Sequence, residues 1–412
     1  MGLMPGYKQT EVGLIPEDWG VVDYLSFGQV IDGDRGIQYP GAGDLRVFGH
    51  CLFLNAGNVT RTGFRFADCQ FISAEKDKKL NKGKLTRGDV VLTTRGTLGN
   101  FAYFDETTPF ESIRINSGMV ILRNTSLTVT NAYLYLTLRS RIVASQIERL
   151  SFGSAQPQLT VKGISTLKIP LPPTKTEQDA IAEAFGDADA LTESLEQLIA
   201  KKRDLKQGAM QELLTGKRRL PGFNGEWEVK RLGDICEIAM GRTPPRLNPA
   251  YWGRGYKWLS IADLRTKVVA ESKEEITPLA AADMQVISKG TLLMSFKLSI
   301  GRLCFAGCDL YTNEAICSFN DPKANAEFLY YILGRTDFSL YGKQAVKGYT
   351  LNKESLKQVV VCVPSEPEQA AIVAILCDMD AEIAALEAKL AKARQIKQGM
   401  MHNLLTGRIR LV

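Results

Sequence analysis

The chain has 412 residues, 45% of them hydrophobic, a globular composition that excludes a disordered or fibrous polypeptide and leaves room for two or three domains. No apolar run approaches the ~18 residues a membrane-spanning helix needs. The net charge of +6, from 51 Lys and Arg against 45 Asp and Glu, permits a polyanionic partner without requiring one.

The opening MGLMPGYKQTEVGLIPEDWG lacks the charged-then-apolar pattern of a secretory signal. The first 172 residues mix short β-rich runs such as DVVLTT with helical ones such as NAYLYLTLRSRIVASQIERL, an α+β pattern without regular βαβ alternation. Thr174 and Glu177 then have the spacing of a capping box, which predicts the start of a helix. Its end is marked by Thr215-Gly216, glycine being the residue that tolerates a left-handed turn past a helix. The helix so bounded has about 40 residues and is about 60 Å long.

The same phrase returns at the tail. RDLKQGAMQELLTGKRRL, from Arg203, is echoed without a gap by RQIKQGMMHNLLTGRIRL, from Arg394, at an offset of 191. At that offset Ser365 and Glu368 repeat the cap and Thr406-Gly407 repeats the end. The second helix has an apolar seam in steps of four and three: Ile372, Leu376, Met379, Ile383, Leu386, Leu390, Ala393, Met400 and Leu404. The first has a broader stripe of Phe185, Leu191, Leu195, Leu198 and Leu205. Two such seams are expected to pack on each other, antiparallel. Gly208 and Gly399 fall inside these helices at about 1 kcal/mol each; a close helix crossing would explain them, as would chance.

The globular parts repeat more faintly. RGDVVLTTRGTLGNFAYF (87–104) matches KGTLLMSFKLSIGRLCFA (289–306), and QLTVKGISTLKIPLP (158–172) matches TLNKESLKQVVVCVP (350–364). The expected layout is a globular domain at 1–172, a helix at 173–218, a second domain at 219–363 and a second helix at 364–412. The order reads like a circle cut open between its last helix and its first Pro-Gly-aromatic, with the termini close together. The fold class expected is therefore α+β, with two pseudo-symmetric domains and two long antiparallel coiled-coil helices.

The sequence carries none of the common catalytic constellations. There is no phosphate-binding loop, no G-x-G-x-x-G after a strand and no G-x-S-x-G elbow. NPAY (248–251) lacks the second proline of a methyltransferase adenine-binding loop, and the E-x-K of 387–389 reads as a surface charge pair. The eight cysteines form no C-x-x-C, and His50 and His402 lie far apart, so buried free thiols in a reducing cytoplasm are expected rather than a metal site. The chain is expected to perform no chemistry itself.

What stands out instead is a set of basic, aromatic and small-polar loops. GRTPPRLNPAYWGRGYKWLSIADLR (241–265) carries Arg242, Arg246, Arg254, Lys257 and Arg265 among Tyr251, Trp252, Tyr256 and Trp258. Arginine binds phosphates and can grip guanine with two bonds; the tryptophans read equally well as core anchors. The matched hairpins place Arg95 with Thr97, and Lys297 with Ser299, at equivalent tips. Arg61, Arg65, Ser154 and Gln156 in the first domain, and Lys347 and Tyr349 in the second, complete the candidate DNA contacts.

With its paired helices opening on Pro-x-x-x-Glu-Gln (173–178, 364–369) and closing on Leu-Leu-Thr-Gly, its Trp19 and Trp227 entries, and the TPPRLNPAYWG…WLSIADL segment, the chain resembles the specificity subunit of type I restriction–modification systems over essentially its whole length. That resemblance implies two target-recognition domains, each binding a few base pairs of a split, asymmetric DNA site. It implies helices that space the readers, about 34–36 Å apart, and dock two modification subunits that bind S-adenosylmethionine and methylate adenine. Restriction subunits using ATP and Mg are expected alongside, with no cofactor or metal on this chain. Glu177, Gln178, Glu368, Gln369, Leu213, Leu214, Leu404 and Leu405 are the expected docking residues. The same sequence leaves open a self-contained DNA methyltransferase or nuclease, and a protein-only helical scaffold.

Overall fold

The computed structural model describes residues 5–151, 158–297, 299–345 and 348–411. The chain divides into two compact units: one of 1–196 with 388–412, the other of 197–387. Each long helix, Lys175–Leu213 and Glu366–Leu405, begins in one unit and ends in the other.

In the first unit a four-stranded antiparallel sheet runs Phe101–Tyr103, Val90–Thr93, Met119–Asn124, Gly28–Asp32. A second sheet has Cys51–Leu54 at its centre, parallel to Ile113–Ile115 and antiparallel to Phe71–Ile72. The second unit repeats the order with Leu303–Ala306, Leu292–Ser295, Ile316–Asn320 and Glu237–Met240, adding Val268–Val269 at one edge. It also repeats the second sheet: Trp252–Leu259 lies parallel to Tyr311–Thr312 and antiparallel to Glu274–Ile276. In each unit a two-stranded ladder, Gly20–Asp23 with Lys168–Leu171 and Glu228–Arg231 with Val360–Val363, leads into a long helix.

The central strands VVLT and LLMS are buried at every position, which an alternating pattern would not allow. The reason is a core on both faces. Val90 and Leu92 join one cluster with Val120 and Leu122, while Val91 joins another with Met119 and Ile121. Leu292 and Met294 likewise face one cluster and Leu293 another. The two units are thus α+β sandwiches of one design, as the duplicated sequence predicts.

Within each unit the early half of one long helix packs against the late half of the other, so the pair is antiparallel. In the first unit Ile181 and Phe185 bury with Leu404, Leu405, Trp19 and Tyr133. In the second, Ile372 and Leu376 bury with Leu213, Leu214 and Phe328. Burying each such side chain contributes about 1.5–3 kcal/mol, against ~0–1 for an exposed ion pair. Apolar packing therefore holds the helices, and the charges described below set their register.

The seam of the second helix is as expected: every residue named for it is buried or half-buried. The stripe of the first helix is so only in part. Of its five residues Phe185 and Leu195 are buried as expected, but Leu191, Leu198 and Leu205 are exposed, and the seam is completed by Ile181, Thr192 and Ile199. Gly208 and Gly399 do not mark a close crossing, because a Cβ at either would meet nothing within 4 Å. The capping boxes form only in part. Thr174 Oγ1 accepts the Glu177 amide at 3.2 Å, but the Glu177 and Glu368 carboxylates turn to other partners. Gly216 and Gly407 do take the expected left-handed turn, at φ +68° and +63°. The cysteines divide: Cys51, Cys236, Cys304 and Cys317 are buried, Cys362 is exposed and the others lie between. Among the described residues no helix is long and apolar enough to cross a membrane.

Candidate nucleic-acid interface

The helix charges repeat as pairs at the 191-residue offset. In the first unit Arg410 holds both oxygens of Glu177 at 2.7 Å, Lys397 pairs with Asp189, and Arg394 meets Glu196 at 2.6 Å. In the second Arg219 holds Glu368 at 2.6 and 2.7 Å, Lys206 pairs with Asp380, and Arg203 meets Glu387 at 2.6 Å. Glu177 and Glu368 lie in the first turn of their helices, where the helix dipole favours an acid. Asp189 and Asp380 lie further along, and Glu196 and Glu387 just past the middle, while each cation lies in or just beyond the C-terminal half of the other helix. The buried carboxylates hold both the Arg219 and Arg410 guanidinium groups above their usual pKa.

The residues expected to face partner subunits are thereby occupied within the chain. Glu177, Gln178, Glu368 and Gln369 are buried, as are Leu213, Leu214, Leu404 and Leu405. Gln178 accepts the Thr130 amide at 2.9 Å and Gln369 accepts the Asn325 amide at 2.8 Å, Thr130 and Asn325 being the N-caps of equivalent helices. These eight side chains lock recognition unit to helix and offer no surface for docking. The repeat at 177–178 and 368–369 marks them, but a repeated polar pair carries no sign of whether its partner is inside or outside.

Away from the helices, three loops converge in each unit. In the first, Thr93 Oγ1 donates to the Thr97 carbonyl and accepts the Asn100 amide at 3.0 Å, which leaves Arg95 exposed at the hairpin tip. The Thr94 amide bonds Gly118 O at 2.8 Å, and Arg35 Nη2 reaches Ser117 O at 3.3 Å. The loop after Gly28–Asp32 therefore borders the same turn as the hairpin tip. Asp34 pins that loop by accepting the Gly36 and Asn81 amides, both at 2.8 Å. The Gly36 N–H above all, opposed by burial and helped by Asn81 and Lys82, holds its carboxyl below the usual range.

The second unit is built likewise. Ser295 Oγ donates to Ser299 O and accepts the Arg302 amide at 3.1 Å, presenting Lys297 beside the Phe296 ring. The Phe296 amide bonds Ala315 O at 3.0 Å, and Thr243 on the entry loop bonds Glu314 of the same turn. The Thr243 hydroxyl, with lesser help from Lys297 and Arg246, lowers the Glu314 pKa. Arg242 fixes the loop through its amide to Thr312 O at 2.8 Å and its carbonyl to Trp258 Nε1 at 3.0 Å.

Of the other candidates, Arg254 and Arg265 are exposed, as are Arg61 and Arg65. Arg246 stacks 4.0 Å from the Trp252 ring centre and 4.8 Å from that of Trp258, and pairs with Glu274 at 2.6 Å. Lys257 is clamped by Glu271 and Glu275 at 2.8 and 2.9 Å, bonds that raise its ammonium pKa. These two cations brace the loop. Trp258 is a core anchor; Trp252 is half-buried against it, with rings edge-on at 5.0 Å. Tyr256 is exposed and lies edge-on to Tyr311. Asn248 caps its own turn through the Ala250 amide, which accounts for the NPAY segment. Ser154, Gln156 and Lys347 lie outside the described residues, and Tyr349 belongs to the short strand Gly348–Thr350.

Two α+β units of matching core strand order, each presenting basic loops and each closed by an arginine gripping a buried glutamate of a long helix, define a duplicated DNA-specificity protein. The family model described as the type I restriction modification DNA specificity domain matches residues 18–202 and again 224–395, and the chain belongs to that family. It is similar along 98% of its length, at 23% identity, to a putative type I restriction enzyme MjaX specificity subunit of Methanocaldococcus jannaschii, of which it covers 97%. It is 20% identical to the HindI specificity subunit of Haemophilus influenzae, over 78% of this chain and 86% of that one. Among solved structures it resembles the type I restriction–modification S subunit from M. genitalium, with TM-score 0.59, 16% identity and 98% of each chain covered. A chain from a type I restriction–modification assembly gives TM-score 0.60 at 19% identity, covering 96% of this chain and 99% of that one.

Proposed function

We propose that the chain reads a bipartite, asymmetric DNA site, one half with each unit, and through its long helices assembles two modification subunits. Those subunits supply S-adenosylmethionine-dependent adenine methylation; two restriction subunits, using ATP and Mg, join them. The chain itself contributes recognition and no catalysis. The observation that carries this reading is the repeated convergence of an entry loop, a cation-tipped hairpin and a turn on one framework, with different side chains in the two copies. Divergent loops on a common scaffold favour two unlike half-sites. For docking, the support is the exposed face of the first helix, where Leu191, Leu198 and Leu205 recur every seven residues outside the seam.

Methylome sequencing of cells expressing the chain with its modification subunit tests the reading. Two short half-sites separated by a fixed unspecified gap are expected, and exchange of residues 242–258 alters one half alone. A single continuous site counts against it.

A further inference from the structure

The two entry loops share a feature that their sequences do not. Ile37 and Leu247 are each 98% exposed, and each lies on the loop joining an edge strand of its unit's larger sheet to the central strand of the second sheet. A single exposed aliphatic is ordinary. This pair occupies equivalent loops in two units whose loop sequences have otherwise diverged. In the first unit, Phe48 on the same loop is also 83% exposed.

Neither loop is free to fold its apolar side chain away. Asp34 and Arg35 fix the first on one side, and the Arg46–Phe71 backbone pair fixes it on the other. Arg246 stacking, the Trp252 Nε1 bond to Pro245 O at 3.2 Å and the Asn248 turn fix the second around Leu247. Each loop borders the turn that also bonds to the cation-tipped hairpin of Arg95 or Lys297. Of the four cations in 241–258, Arg246 and Lys257 are already paired with Glu274, Glu271 and Glu275, which leaves the exposed Arg242 and Arg254 to face a polyanion.

We propose that Ile37 and Leu247 are base-contacting residues, each pressing its aliphatic tip against the apolar surface of bases in one half-site, with the neighbouring cations on the phosphates. The inference rests on the bipartite reading above. Apolar side chains make such contacts with thymine methyl groups or between base steps. Because the contact removes carbon surface from water and neutralises no phosphate, it adds selectivity without adding salt dependence.

The test uses the complex reconstituted with modification subunits and compares wild type with Ile37→Ala and Leu247→Ala. Binding is titrated on cognate duplex, on duplexes with either half-site scrambled, and on unrelated duplex at several salt concentrations. Each variant is expected to lose about tenfold in cognate affinity, with unrelated-DNA binding and salt slope unchanged. The loss should vanish on the duplex whose corresponding half-site is scrambled. Unchanged cognate affinity in both variants overturns the inference, and so does an equal loss on cognate and unrelated DNA. If the wild-type complex shows no dependence on two separate half-sites, the bipartite reading itself fails, an outcome distinct from either of these.

Discussion

Arg410 grips Glu177 through two bonds of 2.7 Å across 233 residues of sequence, and a third contact carries it to Asp18 at 2.8 Å. Arg219 makes the same grip on Glu368, and there the third contact goes to the carboxylate, which also accepts the Trp227 indole N–H at 3.2 Å. Glu368 is buried while its arginine keeps partial access to water. Glu368→Ala is expected to destabilise the second unit by about 1–3 kcal/mol, as loss of a charged hydrogen-bonded partner does. Exchanging the pair, Arg219→Glu with Glu368→Arg, should not restore stability, because the Trp227 N–H would then face a cation. Denaturant unfolding of the single and double variants measures both effects.

The glycines make an asymmetric prediction. A Cβ on Gly407 would stand 2.4 Å from Pro16 Cγ, whereas one on Gly216 would meet Trp227 at an ordinary 3.6 Å. Gly216→Ala should therefore cost only the left-handed backbone penalty of about 1–2 kcal/mol, and Gly407→Ala clearly more. Gly208→Ala and Gly399→Ala, in open mid-helix positions, should each stabilise by about 0.5–1 kcal/mol. Melting temperatures of the four variants give the order directly.

Asp34 has a folded-state pKa below its unfolded value, so it stabilises the first entry loop above the unfolded pKa of about 3.9. That stability is lost as pH falls below this value and through the lower folded one. Hydrogen exchange of the Gly36 and Asn81 amides should accelerate in that window relative to the trend of other amides. In Asp34→Asn the step should disappear and protection should be low at every pH.

Arg95 and Lys297 occupy the same hairpin position, and if both meet phosphates, each alanine variant should lower the salt dependence of DNA binding by about one charge. Affinity should fall on cognate and unrelated duplex alike. A loss confined to one base sequence would show instead that the cation reads a base edge.

The long helices, the left-handed glycine ends and the duplication were legible because they depend on local spacing and on a gapless repeat. The partners of Glu177 and Glu368 were not. A carboxylate at the fourth position of a capping pattern looks the same whether it turns back to its own helix or to an arginine 233 residues on. The first helix misled for a related reason: its seam passes through Thr192, and the leucines at 191, 198 and 205 imitate a buried stripe from the outside. At the loops, sequence marked Arg246 and Lys257 as cations but could not reveal that Glu274, Glu271 and Glu275 already hold them. Ile37 and Leu247 drew no notice, since exposure alone distinguishes them.

The four tryptophans are unevenly shared: Trp19 is alone in the first unit, while Trp227, Trp252 and Trp258 belong to the second. Trp19 is fully buried beside Gly407, so its indole senses the closure of the chain's two ends on one another. A protein with the other three replaced by phenylalanine would carry a single tryptophan at that junction, excitable selectively over the tyrosines. Its emission would follow the melting of one unit without interference from the other.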